Sequence, residues 1–334
     1  MLKKLALVAL IASASVSSVF AEDKINGAGA TFPAPLYYDW AFNYKKDTNN
    51  LVNYQSIGSG GGIKQIAKRT VNFGASDEAL DTLELAKDNP FQFPAAIGSI
   101  VVAFNVAGIA DEKLKLTNEN VADIFSGKIT TWNDPAILAN NQGLNLPNQK
   151  ITVVHRSDGS GTTFNFTYYL SQSSKAWKEK FGTGKAVDWA TGIGGKGNEG
   201  VTNLIKQTPF SIGYIEHAYK EKNNLSAAVL QTASGKWVIA KEENFKAAAK
   251  YATWTKEKHF HSVLALQQGD TSYPIVAATF ILLPREGGEM NKKVIAFYDY
   301  AFKNGDETAK KLGYIPLPED TKKMIREYWA ANIK

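Results

Sequence analysis

Three segments rich in glycine and hydroxyl side chains each lie between a β-like run and a helical pattern. They are residues 27–33 (GAGATFP), 57–63 (IGSGGGI) and 156–162 (RSDGSGT). The first turn of a helix leaves main-chain N–H groups unpaired and carries partial positive charge, so it attracts anions. Glycine lets an anion approach those groups closely, and serine or threonine adds a hydroxyl donor. One such turn is most often just a capped helix, but three of them predict convergence on one anion.

The first and third segments carry further local signals. Thr31 has the side chain of a helix N-cap, and Pro33 would then fall in the first helical turn, where its missing N–H costs nothing. Arg156 can bond an oxyanion through two parallel N–H groups, and Asp158 is placed to hold that guanidinium group. The alternative is a surface ion pair, which contributes little energy. Because the pair directly precedes a Ser-Gly-Thr helix start, we favour an oxyanion site.

Asp77 follows a buried strand predicted over residues 71–75. A carboxylate repels a bound anion unless one of the two carries a proton. Phosphate keeps a proton near neutral pH and can donate it, whereas sulfate cannot, so an acceptor-only group would admit phosphate and reject sulfate. Spacing alone favours another role, in which Asp77 caps the segment that follows it.

Strands and helices alternate through most of the chain, which predicts the α/β class. Beside the three turns, the patterns predict strands over residues 51–57, 96–105, 151–155, 210–215 and 276–283, and helices over residues 35–46, 63–69, 117–125, 162–170, 291–303 and 320–331. The length of 334 residues favours two domains. The long β-rich runs 96–105 and 276–283 either pass between those domains or form two central strands of one sheet.

Composition excludes several classes of protein. The chain has no cysteine, which rules out disulfides and thiolate metal sites. Its net charge of +6 is spread along the chain without a basic block, so no nucleic-acid partner is expected. Residues 1–21 have the positive start, short apolar run and small residue before cleavage of a secretory signal. No later apolar run is long enough to span a bilayer, and we expect an exported, soluble protein.

These motifs together resemble those of the periplasmic phosphate-binding protein of phosphate-specific ABC transporters, the PstS family. The matching residues are 27–35 (GAGATFPAP), 73–77 (FGASD), 156–162, 194–198 (GGKGN) and 213–214 (GY). The resemblance implies an α/β, type II periplasmic binding protein fold with two lobes, each a β-sheet flanked by helices, and crossing hinge segments. It implies lobe I from residues 22–97 plus 275–334 and lobe II from residues 98–274.

The resemblance also implies a function and a binding site. The protein would capture inorganic phosphate in the cleft and deliver it to inner-membrane permease subunits, as a periplasmic monomer with no cofactor, metal or enzyme activity. The implied phosphate contacts are Thr31, Phe32 through its backbone N–H, Ser59, Asp77, Arg156, Asp158, Ser160, Gly161 and Thr162. The chain departs from the family in having Gly60 where a second serine is common, and His155 where a second basic residue is common.

Other readings of the sequence remain. Residues 192–197 (GIGGKG) match a dinucleotide fingerprint, but no convincing strand precedes them, so we predict a structural loop. His259 and His261 are expected to face solvent rather than bind metal. A phosphomonoesterase would use Ser160 as nucleophile, with His155 as the nearest base. A third reading keeps the binding module but exchanges phosphate for sulfate, molybdate or arsenate.

Overall fold

The computed structural model describes residues 24–88 and 90–333, so the predicted secretory signal over residues 1–21 lies outside the described residues. The strands are β1 (Ile25–Gly29), β2 (Val52–Ser56), β3 (Phe73–Ser76), β4 (Pro90–Asn105), β5 (Thr152–Arg156), β6 (Ile193–Gly195), β7 (Ser211–Glu216), β8 (Ser226–Ala227), β9 (Leu230–Gln231), β10 (Trp237–Val238) and β11 (Val276–Pro284). The predicted α/β class is confirmed.

The helices alternate with these strands. They are α1 (Ala34–Thr48), α2 (Ser59–Ala67), α3 (Thr82–Asp88), α4 (Asn118–Phe125), α5 (Pro135–Leu138), α6 (Gly161–Ser173), α7 (Lys175–Lys180), α8 (Gly197–Gln207), α9 (His217–Lys222), α10 (Glu242–Ala249), α11 (Gly288–Asn304), α12 (Asp306–Lys311) and α13 (Glu319–Asn332). Within residues 24–88 and 90–333, no helix has the length and apolar character that crossing a membrane requires.

The main sheet has the strand order β2-β1-β3-β11-β4-β7-β5-β6, with β8 beside β4. Strands β1, β2 and β3 run parallel to one another. Strands β5, β6 and β7 form a second parallel group. In each group the strand ends that lead into helices lie at the same edge of the sheet, which is where α/β proteins place binding residues.

Strand β4 links the two parallel groups. Its residues Pro90–Ser99 pair antiparallel with β11, and its residues Ile100–Asn105 pair antiparallel with β7. All of β11 and all of β4 except its last residue are buried. Aromatic side chains pack on this pair, with the Phe93 and Tyr298 ring centres 5.7 Å apart in an edge-to-face contact. The central strands thus form a close-packed base for the turns at their ends.

Helix α2 begins at Ser59, four residues before the predicted start at residue 63. Its glycines have low intrinsic helix propensity, so the sequence indicates a loop there. The structure shows why a helix forms. A Cβ on Gly62 would lie 2.6 Å from the Gly29 Cα and 2.7 Å from the Ala75 carbonyl oxygen. Only glycine lets α2 approach β1 and β3 this closely, and that approach fixes Ser59 at the edge of the sheet.

Candidate functional site

The three predicted turns meet at one place. The Ser59 hydroxyl oxygen accepts the N–H of Asp77 at 3.2 Å and the N–H of Gly161 at 3.0 Å. The Gly60 N–H donates to the Gly159 carbonyl oxygen at 2.9 Å. The first turn joins them through Asn198, which bonds both Thr31 and Thr162. Hydrogen bonds therefore bring residues from distant parts of the sequence to one place.

Most of the predicted site residues are inaccessible to solvent. The buried members are Thr31, Phe32, Ser59, Asp77, Arg156, Ser160, Gly161 and Thr162. Asp158 is half-buried. Arg156 and Asp77 are only 4% and 3% exposed, respectively. A charge buried this deeply is stable only with a partner, so the arrangement indicates a site built around charge.

Arg156 is held by two parallel hydrogen bonds to Asp158. Its Nε donates to Oδ1 at 2.7 Å and its Nη2 donates to Oδ2 at 2.5 Å. Burial alone would raise the pKa of Asp158, but the hydrogen bonds and charge of Arg156 outweigh burial and hold that pKa below its usual range. The Gly197 N–H also donates to Asp158 Oδ1 at 3.0 Å. This clamp leaves Arg156 Nη1 on the side of Thr162, whose hydroxyl lies 3.4 Å away.

Asp77 lies in the site and does not cap a helix, so the role that spacing favoured is wrong. Helix α3 begins five residues later, and Asp81 Oδ1 accepts the N–H groups of Leu83 and Glu84 at its start. Among the described residues, Asp77 Oδ1 has no hydrogen-bond partner although it is buried. Burial raises the pKa of Asp77 to about 7. Hydrogen bonding by Thr279 and Ser59 and the positive charge of Arg156 lower this pKa but do not outweigh burial. The side chain offers an unused acceptor beside a cation.

Thr31 is not the N-cap of α1, contrary to the prediction. The helix begins at Ala34 with Pro33 in the cap position, and no side chain caps it. The Thr31 hydroxyl is engaged instead by Asn198, whose main-chain N–H and side-chain Nδ2 approach it at 3.0 and 2.7 Å. Ser160 does cap its helix, since its Oγ accepts the Thr163 N–H at 3.0 Å at the start of α6.

A fourth turn lies beside the other three, and the family resemblance includes its residues 194–198 without giving any of them a contact in the site. Residues 192–197 are not a structural loop, because Ile193–Gly195 forms β6 and α8 begins at Gly197. Gly197 bonds Asp158, and Asn198 bonds Thr31 and Thr162. The missed signal is the glycine-rich turn before a helix that the other three segments share. The strand before it has only three residues, too few to give a periodic pattern.

Hydrogen bonds and an ion pair surround the place where the turns meet. The Tyr219 hydroxyl donates to the Thr31 carbonyl oxygen at 2.6 Å, and the Ser56 hydroxyl donates to Glu199 at 2.9 Å. The Tyr314 hydroxyl donates to the Phe32 carbonyl oxygen at 2.6 Å. Lys185 forms an ion pair with Glu78. The Tyr219, Ser56 and Lys185 contacts each join segments from the two parallel groups of strands, so the structure has the geometry of a closed cleft.

The two positions where the chain departs from the family, Gly60 and His155, both lie in packed surroundings. A Cβ on Gly60 would come within 3.2 Å of the Gly159 Cα, so a side chain there would crowd the opposing turn. The His155 ring stacks on Trp189 with centres 4.9 Å apart, and burial lowers the pKa of His155.

His259 Nδ1 lies 2.9 Å from the Tyr328 hydroxyl. Across residues 24–88 and 90–333, no cluster of histidine and acidic residues is suited to a metal ion.

Comparisons with known proteins show similarity to phosphate-binding proteins of the PBP superfamily. A family model described as the PBP superfamily domain matches residues 14–304. The chain is 49% identical to the phosphate-binding protein PstS of Xylella fastidiosa (strain Temecula1) over 313 residues, 93% of this chain and 86% of that protein. It is 48% identical to the phosphate-binding protein PstS of Pasteurella multocida, covering 100% of this chain and 97% of the relative.

Two solved structures share the fold at lower sequence identity. A high-affinity periplasmic phosphate-binding protein, PfluDING, solved with bound phosphate, has a TM-score of 0.73 at 21% identity and covers 91% of this chain and 93% of its own. A phosphate-binding protein from Stenotrophomonas maltophilia has a TM-score of 0.69 at 21% identity and covers 92% of this chain and 94% of its own. At this identity the likeness shows the fold alone.

Proposed function

This chain belongs to the PstS family of phosphate-binding proteins within the PBP superfamily, and we propose that it captures inorganic phosphate and delivers it to an ABC transporter permease. Its fold is the two-lobed type II architecture of periplasmic binding proteins. Such proteins close their lobes around a ligand by hinge motion. The buried place where the four turns meet is the proposed ligand site.

We assign residues 22–97 plus 275–334 to lobe I and residues 98–274 to lobe II. The change of partner along β4, from β11 to β7 between Ser99 and Ile100, lies two residues from this boundary and supports it. On this division Thr31, Ser59 and Asp77 belong to lobe I. The segment from Arg156 to Thr162 belongs to lobe II. The proposed phosphate would therefore be held between lobes rather than on one surface.

The observation that carries the proposal is the pairing of a buried cation with a buried, unused acceptor. Arg156 supplies the charge and Nη1, while Asp77 Oδ1 has no partner among the described residues. A fully ionised oxyanion would leave Asp77 facing negative charge without a hydrogen bond. Phosphate near neutral pH carries a proton that Asp77 can accept, so phosphate satisfies the site and sulfate does not. Arsenate carries the same proton and should compete.

The remaining proposed contacts surround phosphate with donors. Ser59, Ser160, Thr31 and Thr162 are buried hydroxyls, and Ser160 and Gly161 lie at the start of α6, where the helix dipole favours an anion. Phe32 is buried in the first turn. Asp158 contributes by orienting Arg156. Together these groups replace the water that the anion loses on entering a buried site.

The same geometry argues against the phosphomonoesterase reading. The Ser160 Oγ accepts the Thr163 N–H as a helix cap. The His155 ring stacks on Trp189, and its Nδ1 lies 3.0 Å from the Arg156 carbonyl oxygen. A serine nucleophile needs its base within hydrogen-bond reach, and this histidine is engaged elsewhere. We propose a binding protein without turnover.

Isothermal titration of residues 22–334 with phosphate tests the proposal. We expect one phosphate per chain, and no release of chromophore when the protein is incubated with a chromogenic phosphate ester. Absence of a binding signal at millimolar phosphate would refute phosphate capture. Sustained product release would instead identify an enzyme. A co-purified anion is removed beforehand by partial unfolding and dialysis, so that an occupied site is not mistaken for an inactive one.

A further inference from the structure

Asn198 joins two hydroxyls that come from opposite sides of the proposed cleft. It lies in the first turn of α8 and is fully buried. Its Nδ2 lies 2.7 Å from the Thr31 hydroxyl oxygen and 3.1 Å from the Thr162 hydroxyl oxygen. Its main-chain N–H also donates to Thr31, at 3.0 Å. Asn198 is the point where the first and third turns of the site are connected.

The orientation of the Asn198 amide is fixed by a main-chain group. The Glu216 N–H donates to Asn198 Oδ1 at 2.9 Å. A main-chain N–H can face only an acceptor, so the oxygen must point toward Glu216 and the NH₂ group toward the two threonines. Both amide hydrogens are then used, one for each hydroxyl.

The two threonine hydroxyls can therefore donate in only one direction. A hydroxyl has two acceptor lone pairs and one proton. The Thr31 oxygen accepts two N–H groups of Asn198. The Thr162 oxygen accepts Asn198 Nδ2 and Arg156 Nη1. With both lone pairs engaged, each oxygen has only its proton left to offer, and neither proton reaches an acceptor within residues 24–88 and 90–333.

We propose that Asn198 is a positioning residue that makes Thr31 and Thr162 donate their protons to bound phosphate. This inference rests on the proposed function, and it assigns Asn198 no contact with phosphate. A hydroxyl that Asn198 did not hold would alternate between donating and accepting hydrogen bonds, and only a donated hydrogen bond stabilises an anion. Because Thr31 belongs to proposed lobe I and Asn198 to proposed lobe II, the alignment of Thr31 is completed only when the lobes close. Closure and anion affinity are thereby linked through one side chain.

A double-mutant cycle between Asn198 and Thr31 tests this inference. Asn198→Ala removes the NH₂ group that orients the Thr31 and Thr162 hydroxyls. Thr31→Val removes one of these two hydroxyls. We expect Asn198→Ala to raise the phosphate Kd about tenfold in the native chain but only about threefold in the Thr31→Val chain. A purely structural role for Asn198 would give the same factor in both chains, and that result would overturn the proposal.

Asn198→Asp provides a second variant should Asn198→Ala fold poorly. It keeps the oxygen that bonds Glu216 but turns the facing group into an acceptor, so both threonine protons would be donated away from phosphate. The Kd should rise about 100-fold or more in the native chain and by a smaller factor in the Thr31→Val chain. Equal factors would again contradict the proposal.

Asn141→Ala is the matched control for loss of a buried asparagine. Asn141 is 4% exposed and its side chain bonds the main chain of Lys115 and Ile137, away from the site. This variant should lower the unfolding temperature while leaving the phosphate Kd unchanged. The outcomes separate the two claims. A native chain that binds no phosphate refutes the proposed function and this inference with it, whereas normal binding with an uncoupled cycle refutes only the inference.

Discussion

The Ser59 hydroxyl oxygen lies 3.0 Å from the Gly161 nitrogen and accepts its N–H, joining residues 102 positions apart. The approach depends on the missing side chain. A Cβ on Gly161 would lie 2.6 Å from Ser59 Oγ and 2.7 Å from Asp77 Cβ. On the proposed division Ser59 and Asp77 belong to lobe I and Gly161 to lobe II. A glycine therefore stands where the two lobes meet in the site.

Gly161→Ala should hold the lobes apart. The added methyl group would overlap Ser59 and Asp77 in the closed form only, so we expect the phosphate Kd to rise about 10- to 100-fold. The unfolding temperature of the phosphate-free protein should change little, because the open form has room for the methyl group. Titration calorimetry and thermal unfolding measure the two quantities.

Gly213→Ala is the control for this substitution. A Cβ there would lie 2.8 Å from both the Ile205 Cδ1 and the Val154 carbonyl oxygen, all within proposed lobe II. It should lower the unfolding temperature and leave the phosphate Kd of the folded fraction near the native value. If Gly161→Ala behaves like Gly213→Ala, the account of lobe closure is wrong.

Arg156→Lys should weaken phosphate binding at least about tenfold, because lysine cannot bond Asp158 through two groups and reach the site with a third. The guanidinium is buried, so the loss is not compensated by solvent. Arg326→Lys is the comparison, since Arg326 forms a partly exposed pair with Asp299. Phosphate titrations of both variants test this prediction. Equal phosphate Kd values for Arg156→Lys and Arg326→Lys would show that Arg156 does not bind phosphate.

The predicted pH dependence follows from Asp77, whose pKa burial raises from 3.8 to about 7. The folded chain then binds this proton more tightly than the unfolded chain. The stability contributed by the protonated carboxyl is fully present below about pH 4 and is lost as pH rises toward 7. For the closed form, the free energy of unfolding relative to Asp77→Asn should fall over that range by up to about 4 kcal/mol. Opening of the lobes in the phosphate-free chain hydrates Asp77 and makes the fall smaller.

Urea unfolding of the native chain and of Asp77→Asn measures this difference at a series of pH values. Taking the difference cancels the other titrating groups, which both chains share. A difference that stays constant from about pH 4 to 7 would show that Asp77 is hydrated when phosphate is absent, contrary to the expectation.

Export is a separate prediction. In a Gram-negative host the protein should be recovered from the periplasmic fraction with Glu22 as its first residue, because residues 1–21 have the pattern of a cleaved signal. Mass spectrometry of the purified protein gives the cleavage point. Recovery of the full 334-residue chain from the cytoplasm would contradict both the export and the periplasmic assignment.

The sequence predicted those parts of the site that depend on local chemistry. The segment from Arg156 to Thr162 was recognisable because its guanidinium group, carboxylate and helix cap are neighbours in the chain. The helix-cap role predicted for Thr31 is wrong because its hydroxyl bonds Asn198, which lies 167 residues away. The start of α2 was missed because glycine propensity indicates a loop, whereas close packing on β1 decides the outcome. Local sequence patterns do not reveal contacts between residues that are far apart in the chain.

The central claim is that a buried acceptor selects a protonated oxyanion. Its most direct test is titration of the native chain and of Asp77→Asn with phosphate and with sulfate. We predict that above pH 7, where Asp77 is ionised and can only accept, the native chain binds phosphate and shows no measurable sulfate binding. Asp77→Asn, which can donate a hydrogen bond, should shift the ratio of the two affinities toward sulfate. Native binding of both anions with similar affinity, or an unchanged ratio in Asp77→Asn, would contradict the claim.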